Sequence, residues 1–392
     1  MNYILYDGSF RDSLLPFTFT RPVADLRIGI LTIREKWETA LRTTTTTLTE
    51  EYLENKYPLV EMEFNVFINS GYLPNTDFIE EVKKLKPHQK IVCNKEVIAF
   101  YSTEDQEEIH LDDYDTIYLK NVESLENKWD LFLKNDVAIR EDFKQITHDR
   151  ISEELPNYVQ AVEKEQIFIE EGALINPCFL NASSGPIYIG KDAVILDGAM
   201  LRGPIALGEK AVVKMGAKIY GATTIGPGCK VGGEIKNSIL FANSNKGHEG
   251  YLGDSVVGEW CNFGADTNVS NLKNNYSNVR LWNYELESFE DTQQKNCGLM
   301  MGDHSKTGIN TMFNTGTVLG VFVNIFGSHM PDKFVPSYSW GGTKNKKTYD
   351  FNKAIETATK VINKPNQELS LEDVAILKEI FHQTEKYRHK NE

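Results

Sequence analysis

The sequence predicts an α/β domain joined to a left-handed parallel β-helix of hexapeptide repeats, closed by a C-terminal helical tail. Three observations lead there. Over residues 1–150, short β-branched runs alternate with amphipathic stretches. From Ile169 to Ile325 apolar residues recur with a period of six. Beyond residue 345 the pattern returns to that of helices. The implied divisions are 1–150 for the α/β domain, 151–166 for a helical linker, 167–345 for the solenoid and 346–392 for the tail.

Tyr3–Tyr6 is a short apolar run ending in Asp7-Gly8, a strand leaving into a loop. Ala24–Arg42 reads as a helix. Thr43–Thr49 is threonine-rich, and β-branched side chains, stiff at χ1, suit an extended chain. Asn65–Ile68 is a buried-strand candidate, followed by a turn at Gly71–Asn75. Phe78–Leu85 alternates acidic and basic residues around apolar ones, as a surface helix does. Ile91–Phe100 and Thr116–Leu119 add strands, so helices should layer on a largely parallel sheet. Leu125–Gln166 is richer in charge and reads as helical.

In the solenoid, apolar residues fall at Ile169 and Ile175 and, after a short insertion, at Ile189, Ile195, Leu201, Leu207, Val213, Ile219, Ile225 and Val231. Gly190, Gly208, Gly226 and Gly232 directly follow four of these. The period resumes at Val257, Phe263 and Val269, and again at Phe313, Leu319 and Ile325. Neither a 3.6-residue nor a two-residue period accounts for this run. A triangular prism does: each flat side sends one aliphatic side chain to the axis, and a small residue follows it at the corner. Lys333–Lys347 reads as a loop, and Asn352–Lys360 and Leu369–Tyr387 as helices that cap the open end or pack on a neighbouring subunit.

Composition narrows the function. The chain has 392 residues and a formal net charge of −14, which speaks against a nucleic-acid surface. No apolar run approaches the roughly 18 residues of a membrane span, and MNYILYDGSF has no basic segment leading an apolar one. Cys93, Cys178, Cys229, Cys261 and Cys297 are scattered and never spaced C-x-x-C. That pattern fits a reduced cytoplasm and supports neither a zinc site nor a disulfide framework.

The period breaks at Leu240–Gly250 and at Asn271–Gly302, and loops leaving a rigid solenoid are where such folds place function. The stretch KGHEGYLGDSVVGEWCNFGADTNVSN, Lys246–Asn271, resembles the acetyltransferase signature of bifunctional GlmU-type enzymes. His248, Tyr251, Leu252, Gly253 and Asp254 match that family's K-A-G-H-x-x-Y-L-G-D in register, and Asn262, Gly264, Ala265, Thr267 and Asn271 follow at its spacing. The resemblance implies transfer of an acetyl group from acetyl-CoA to glucosamine 1-phosphate, with His248 as general base. It implies Lys236 on the sugar phosphate, Tyr251 and Asn271 on the sugar, Asn262 at the amine or thioester, and the Ala265 backbone at the pantetheine arm. Glu249 or another carboxylate is the candidate to orient His248. Asp303-His304, at the second break, reads mainly as loop structure. The chain departs from the family pattern in lacking its sugar-phosphate arginine, where Lys214 or Lys218 substitutes, and its later cofactor-contacting serine.

For the N-terminal half the resemblance implies a divergent sugar nucleotidyltransferase domain, acting on a sugar 1-phosphate and UTP or dTTP. Gly8 and Arg11 stand for the phosphate-loop glycine and a phosphate-binding basic residue, and Arg21 for part of a basic-Pro element. The metal-binding aspartate of the family is replaced near Asn69-Ser70-Gly71, so a Mg²⁺ ion would need Asp7 or Asp25. By the same analogy the assembly is a homotrimer. Two other readings stay open: a thymidylyl- or uridylyltransferase with a structural β-helix, and a non-catalytic nucleotide-sugar-binding or assembly module.

Overall fold

The computed structural model describes residues 1–103, 109–342, 345–362 and 368–389. Residues 343 and 344, in the expected 333–347 loop, and 390–392 of the tail lie outside them. The chain divides into two compact units. One comprises Met1–Leu26 and Leu31–Asn127, the other Arg27–Ile30 and Lys128–Glu392.

The first unit is a six-stranded sheet with helices. Its strands are β1 (Asn2–Tyr6), β2 (Thr46–Leu48), β3 (Asn65–Asn69), β4 (Gln89–Cys93), β5 (Glu96–Ser102) and β6 (Asp115–Tyr118), in the order β2-β1-β3-β5-β4-β6. β1 runs parallel to β2 and β3, and β4 parallel to β6. β5 is antiparallel to both β3 and β4, so the sheet is mixed rather than largely parallel. The single strand expected over Ile91–Phe100 is a hairpin. Asn94 and Lys95 both adopt positive φ, the geometry of a tight turn that folds one strand back on the next.

The helix expected over Ala24–Arg42 is shorter. Helix α1 (Ile33–Leu41) begins at Thr32, whose hydroxyl accepts from the Glu35 amide while the Glu35 carboxylate accepts from Thr32 N–H. This capping box satisfies two donors at the helix start. Ahead of it only Val23–Asp25 makes a short 3-10 turn, and Arg27–Ile30 are not helical because their backbone is bound elsewhere, in the second unit. Gly29 N–H donates to Asn135 Oδ1 at 2.7 Å, Ile30 N–H to Asp142 Oδ2 at 2.8 Å, and Thr224 Oγ1 to Gly29 O at 2.7 Å. Gly29 sits at φ +76°, where a Cβ would lie 2.4 Å from the Asp142 carboxylate. Helix α2 (Glu51–Glu54) and α3 (Thr76–Lys84) complete the unit, the latter capped by the Asn75 side chain.

The second unit opens with α4 (Asp130–Leu133) and α5 (Asn135–Thr147). Residues 151–166 form no α-helix. Gln160–Val162 is instead a strand of the first solenoid coil, paired with Phe179–Asn181. Three parallel sheets of six, nine and five strands form the sides of a left-handed β-helix, and shorter sheets extend it. The expected axial residues stack in register, together with others that fall off the count of six. Ile169, Ile189, Leu207, Ile225, Leu240, Val257, Met301, Leu319 and Val335 form one column. Leu180, Leu201, Ile219, Ile235 and Leu252 form another. All are buried in one continuous core. Corners are tight: a Cβ on Gly226 would sit 1.4 Å from Phe241 O.

The first expected interruption does not leave the prism. Ile239–Leu240 and Asn245–Lys246 are strands of two sides, so Leu240–Gly250 continues the coil with altered spacing. The second does leave it, as an antiparallel hairpin of Arg280–Asn283 with Ser288–Asp291. The chain rejoins the prism at Leu299–Met301. The loop expected over Lys333–Lys347 contains strands Phe334–Val335 and Ser339–Gly341, which extend two sides. Helices α6 (Phe351–Ile362), α7 (Leu371–Gln383) and α8 (Glu385–His389) then close that end. Tyr338 Oη donates to Leu377 O at 2.7 Å, and Trp282 stacks on Phe334 at 4.2 Å with Tyr387 edge-on.

Candidate functional site

The site is built from three stacked strands on one side of the prism: Lys218–Tyr220, Glu234–Lys236 and Tyr251–Gly253. Their central residues, Ile219, Ile235 and Leu252, point to the axis, so the flanking residues face outward. Lys218, Glu234 and Tyr251 form one outward row, and Tyr220, Lys236 and Gly253 the other. The second row ends in a glycine because a Cβ there would lie 2.3 Å from the Tyr251 hydroxyl. The phenol thus folds over Gly253, the register partner of Lys236. The Lys236 ammonium has no hydrogen-bond or ion-pair partner among the described residues and is available to an anion.

Beside these rows stands a second stack. Asn237, Asp254 and Asn271 lie 17 residues apart, one coil each. The Asp254 carboxylate accepts from Asn237 Nδ2 at 2.7 Å and from Asn271 Nδ2. Asp254 is buried, and its N–H donates to Lys236 O at 3.1 Å. Asn271 also lies beside the Tyr251 phenol, where it acts against the rise in its pKa. Burial, and then the Asp254 charge, push the Tyr251 phenol well above its ordinary pKa. Tyr220 donates to Glu234 Oε1 at 2.6 Å, which raises its pKa to about 12, with burial adding to the effect. Both phenols are therefore neutral donors near pH 7.

His248 sits at the corner between Asn245–Lys246 and Tyr251–Gly253, three residues before Tyr251. It is exposed, and its imidazole has no partner among the described residues. Glu249 does not orient it: that carboxylate lies 3.9 Å from Lys218 Nζ, and Glu249 O accepts from Asp266 N–H at 3.0 Å. Asn262 and Ala265 belong to the coil beyond. Asn262 pairs with Asn245 and Lys306 on the adjoining side, with Asn245 Nδ2 donating to Asn262 Oδ1 at 2.8 Å. Ala265 O accepts from Asn310 N–H at 2.8 Å. Within one chain, then, Lys236, Tyr251 and Asn271 converge and His248 occupies the corner, while Asn262 and Ala265 are held in the coil beyond by Asn245 and Asn310. His304 is a packing residue, buried and stacked on Phe322 at 4.5 Å.

The sequence reading gave Asp254 no role and passed over Tyr220, Glu234 and Asn237. For Asn237 and Asp254 the signal is the 17-residue interval that leads on to Asn271, whereas Tyr220 and Glu234 meet across 14 residues, which that interval does not reveal.

In the first unit Arg11 is buried. Its guanidinium donates to Asp7 Oδ2 at 3.0 Å, Thr18 O at 2.7 Å and Tyr52 Oη at 3.0 Å. It is a structural arginine rather than an open phosphate ligand. Asp7 also accepts from Val23 N–H and Thr49 Oγ1. Burial, its strongest influence, raises its pKa, with the hydrogen bonds and Arg11 acting the other way. Gly8 packs on Asn69, and Arg21 is buried. Asp25 is held by Arg34 at 2.9 and 2.7 Å. Both carboxylates considered for Mg²⁺ are thus engaged by arginine. Among the described residues no group of three His, Cys, Asp or Glu side chains is placed to hold a metal. The residues present do not fit a protein-held magnesium site. Among the described residues no helix is long and apolar enough to cross a membrane.

The fold and the stacked site define a class: a sugar-nucleotidyltransferase-type α/β domain followed by a hexapeptide-repeat solenoid of the acetyltransferase type. Residues 3–151 match the family described as sugar nucleotidyl transferase. A bifunctional protein GlmU of Methanocaldococcus jannaschii is 35% identical over 104 residues, 26% of this chain and 25% of that protein. A bifunctional sugar-1-phosphate nucleotidylyltransferase/acetyltransferase of Sulfurisphaera tokodaii is 35% identical over 144 residues, 36% of this chain and 35% of the relative. The matches span only these fractions of the bifunctional relatives' lengths. The uncharacterized acetyltransferase YaiX of Escherichia coli is 33% identical over 171 residues, 43% of this chain and 72% of the relative. The chain covers more than two thirds of that acetyltransferase and belongs to its family, and it is similar to the GlmU proteins over the stretches given.

Proposed function

We propose that the solenoid transfers an acetyl group from acetyl-CoA to the amine of glucosamine 1-phosphate, with His248 as general base. The observation that carries this reading is the unpartnered Lys236 ammonium beside the Tyr251 phenol and the Asp254–Asn271 pair, on the side of the prism that ends at the His248 corner. The substrate amine is an ammonium near neutral pH and must lose a proton before it can attack. The neutral imidazole takes that proton, the amine lone pair attacks the thioester carbonyl carbon, and the C–S bond breaks. The second proton of the attacking nitrogen passes to the departing thiolate, giving the amide and the free thiol, and the imidazolium releases the first to solvent. Lys236 pairs with the phosphate as a point charge, while Tyr251 and Asn271 hydrogen-bond the sugar.

Asn262 would serve the amine or thioester and the Ala265 backbone the pantetheine arm. Both belong to the coil beyond His248, Asn262 on the adjoining side. A homotrimer of prisms, in which one copy's side meets another's, brings such residues to one site. Light scattering that returns a monomer removes that shared site. The main test is thiol release from acetyl-CoA with glucosamine 1-phosphate, for wild type and His248→Ala.

The N-terminal unit is assigned transfer of a nucleotidyl group from UTP or dTTP to the sugar 1-phosphate, giving UDP-N-acetylglucosamine in the first case. The match over residues 3–151 supports it. That match also favours a second reading, in which this unit alone is catalytic and the β-helix is structural. Pyrophosphate release without thiol release selects the second reading, and silence in both assays selects a binding module. The cytoplasm, which supplies acetyl-CoA and nucleoside triphosphates, is the proposed compartment.

A further inference from the structure

Lys246 occupies a position that the prism otherwise gives to hydrocarbon. Ile175, Ile195, Val213 and Val231 stack in register on one side, and Lys246 is next in that column. Phe263 of the following coil also lies in the core. Lys246 is 2% exposed. Its ammonium donates to Gly232 O at 3.0 Å and to His248 O at 3.0 Å. The first carbonyl belongs to the preceding coil, the second to the corner that presents the imidazole.

We infer that Lys246 is a positioning residue that holds the His248 corner, tying it to the coil below through two carbonyl oxygens. This deepens the proposed role of His248 and rests on it. The argument has three parts. First, an ammonium without a hydrogen-bonded carboxylate is costly in an apolar column, and an aliphatic residue of similar length would serve the fold better. Stability therefore does not explain the lysine. Second, the corner is locally weak: Gly247 and Gly250 bracket His248 and Glu249, and Gly250 sits at φ +119°. Glycine backbones lose the most freedom on ordering, so this segment needs an outside tether. Third, the imidazole has no side-chain partner among the described residues, so its place is set by the backbone that carries it. Lys246 Nζ is the group that grips that backbone at His248 itself. The charges that act on it are Glu249 and Asp266, which favour the ammonium, and Lys218, which opposes it.

The test is Lys246→Met in the full-length protein. The melting temperature should hold or rise. Thiol release should fall about 10- to 100-fold in kcat at unchanged KM, the scale expected when a catalytic group is misplaced by about 1 Å. Amide hydrogen exchange should accelerate over residues 247–250 and nowhere else. On a His248→Ala background the same substitution should cost no further rate. Lys246→Gln, whose amide still donates to a carbonyl, should recover part of the loss. Unchanged kcat with unchanged exchange overturns the inference. So does an equal loss on both backgrounds with a lowered melting temperature, which assigns Lys246 to the fold. If His248→Ala keeps the wild-type rate, the general-base reading fails instead, and the exchange measurement alone decides whether Lys246 holds the corner.

Discussion

The two units treat their charged candidate residues in opposite ways. In the solenoid, Lys236 stands without a partner on an outward row, and the buried Asp254 carboxylate is surrounded by the neutral amides of Asn237 and Asn271. In the α/β unit, Arg11 and Asp7 are buried against one another, and Asp25 is paired with Arg34. A charge held by neutral donors, or by none, keeps its field for a ligand, whereas a charge paired internally is largely cancelled. The difference teaches where ligand chemistry can be argued from geometry in this chain: on the prism side, and not at Arg11.

The comparison can be broken or sharpened by experiment. The largest expected effect is that of His248→Ala, a loss of about 10²–10⁴ in thiol release if the imidazole is the base. A wild-type rate removes the catalytic reading of the prism. Arg11→Met should come next. It leaves Asp7 buried without its cation and should destabilise the α/β unit by about 3–5 kcal/mol, read by urea unfolding. Adding Asp7→Asn should recover part of that loss. If Arg11→Met is stable but abolishes pyrophosphate release, Arg11 is a phosphate ligand after all and the contrast between the units collapses.

Asp254→Asn should act more mildly. It keeps the shape but removes the charge that holds Asn237 and Asn271, with an expected loss of about 1.5–3 kcal/mol, on the scale of a hydrogen bond to a charged group. The steady-state signature is a raised KM for the sugar phosphate, since Asn271 and Tyr251 lose their common support. An unaltered KM separates the stack from the substrate.

The smallest effect is a pH dependence. Burial, opposed by Glu249 and Asp266 and reinforced by Lys218, lowers the Lys246 pKa from 10.5 to about 8. Between those values the unfolded chain binds a proton that the folded chain has released, so this group makes stability rise with pH. The cost of the buried ammonium is fully present below pH 8 and is relieved as pH approaches 10.5. The stability advantage of Lys246→Met over wild type should therefore be greatest near pH 7 and shrink above pH 8. Paired denaturation curves at two pH values measure it, and a constant difference contradicts a charged Lys246 in the column.

Much of the solenoid was legible because its geometry is one-dimensional. Each axial position sees the same neighbours one coil away, so a six-residue apolar period is sufficient to name Ile189, Leu207 or Val213 as core. The proposed site residues Lys236, Tyr251 and Asn271 were singled out by motif and spacing, and the structure brings them together. What the period hid was its own slippage. Ile235, Leu240 and Leu252 are axial although they fall off the count of six, and a polar Lys246 at an axial position reads as a break in the pattern. In the α/β unit the local signals were weaker guides. The capping box at Thr32 and the Asn94-Lys95 turn were both present in the residues, yet the helix was expected to run through the first and the strand through the second.

By itself, then, the sequence determined the class of fold, the apolar column and the segment that bears His248. These follow from side-chain periodicity, which depends only on backbone geometry. The tertiary structure alone decided that Asn237, Asp254 and Asn271 form one stack, that Arg11 closes on Asp7, and that Lys246 reaches the His248 carbonyl. Those contacts depend on coil length, register and strand order, which bring together atoms whose proximity no local pattern encodes.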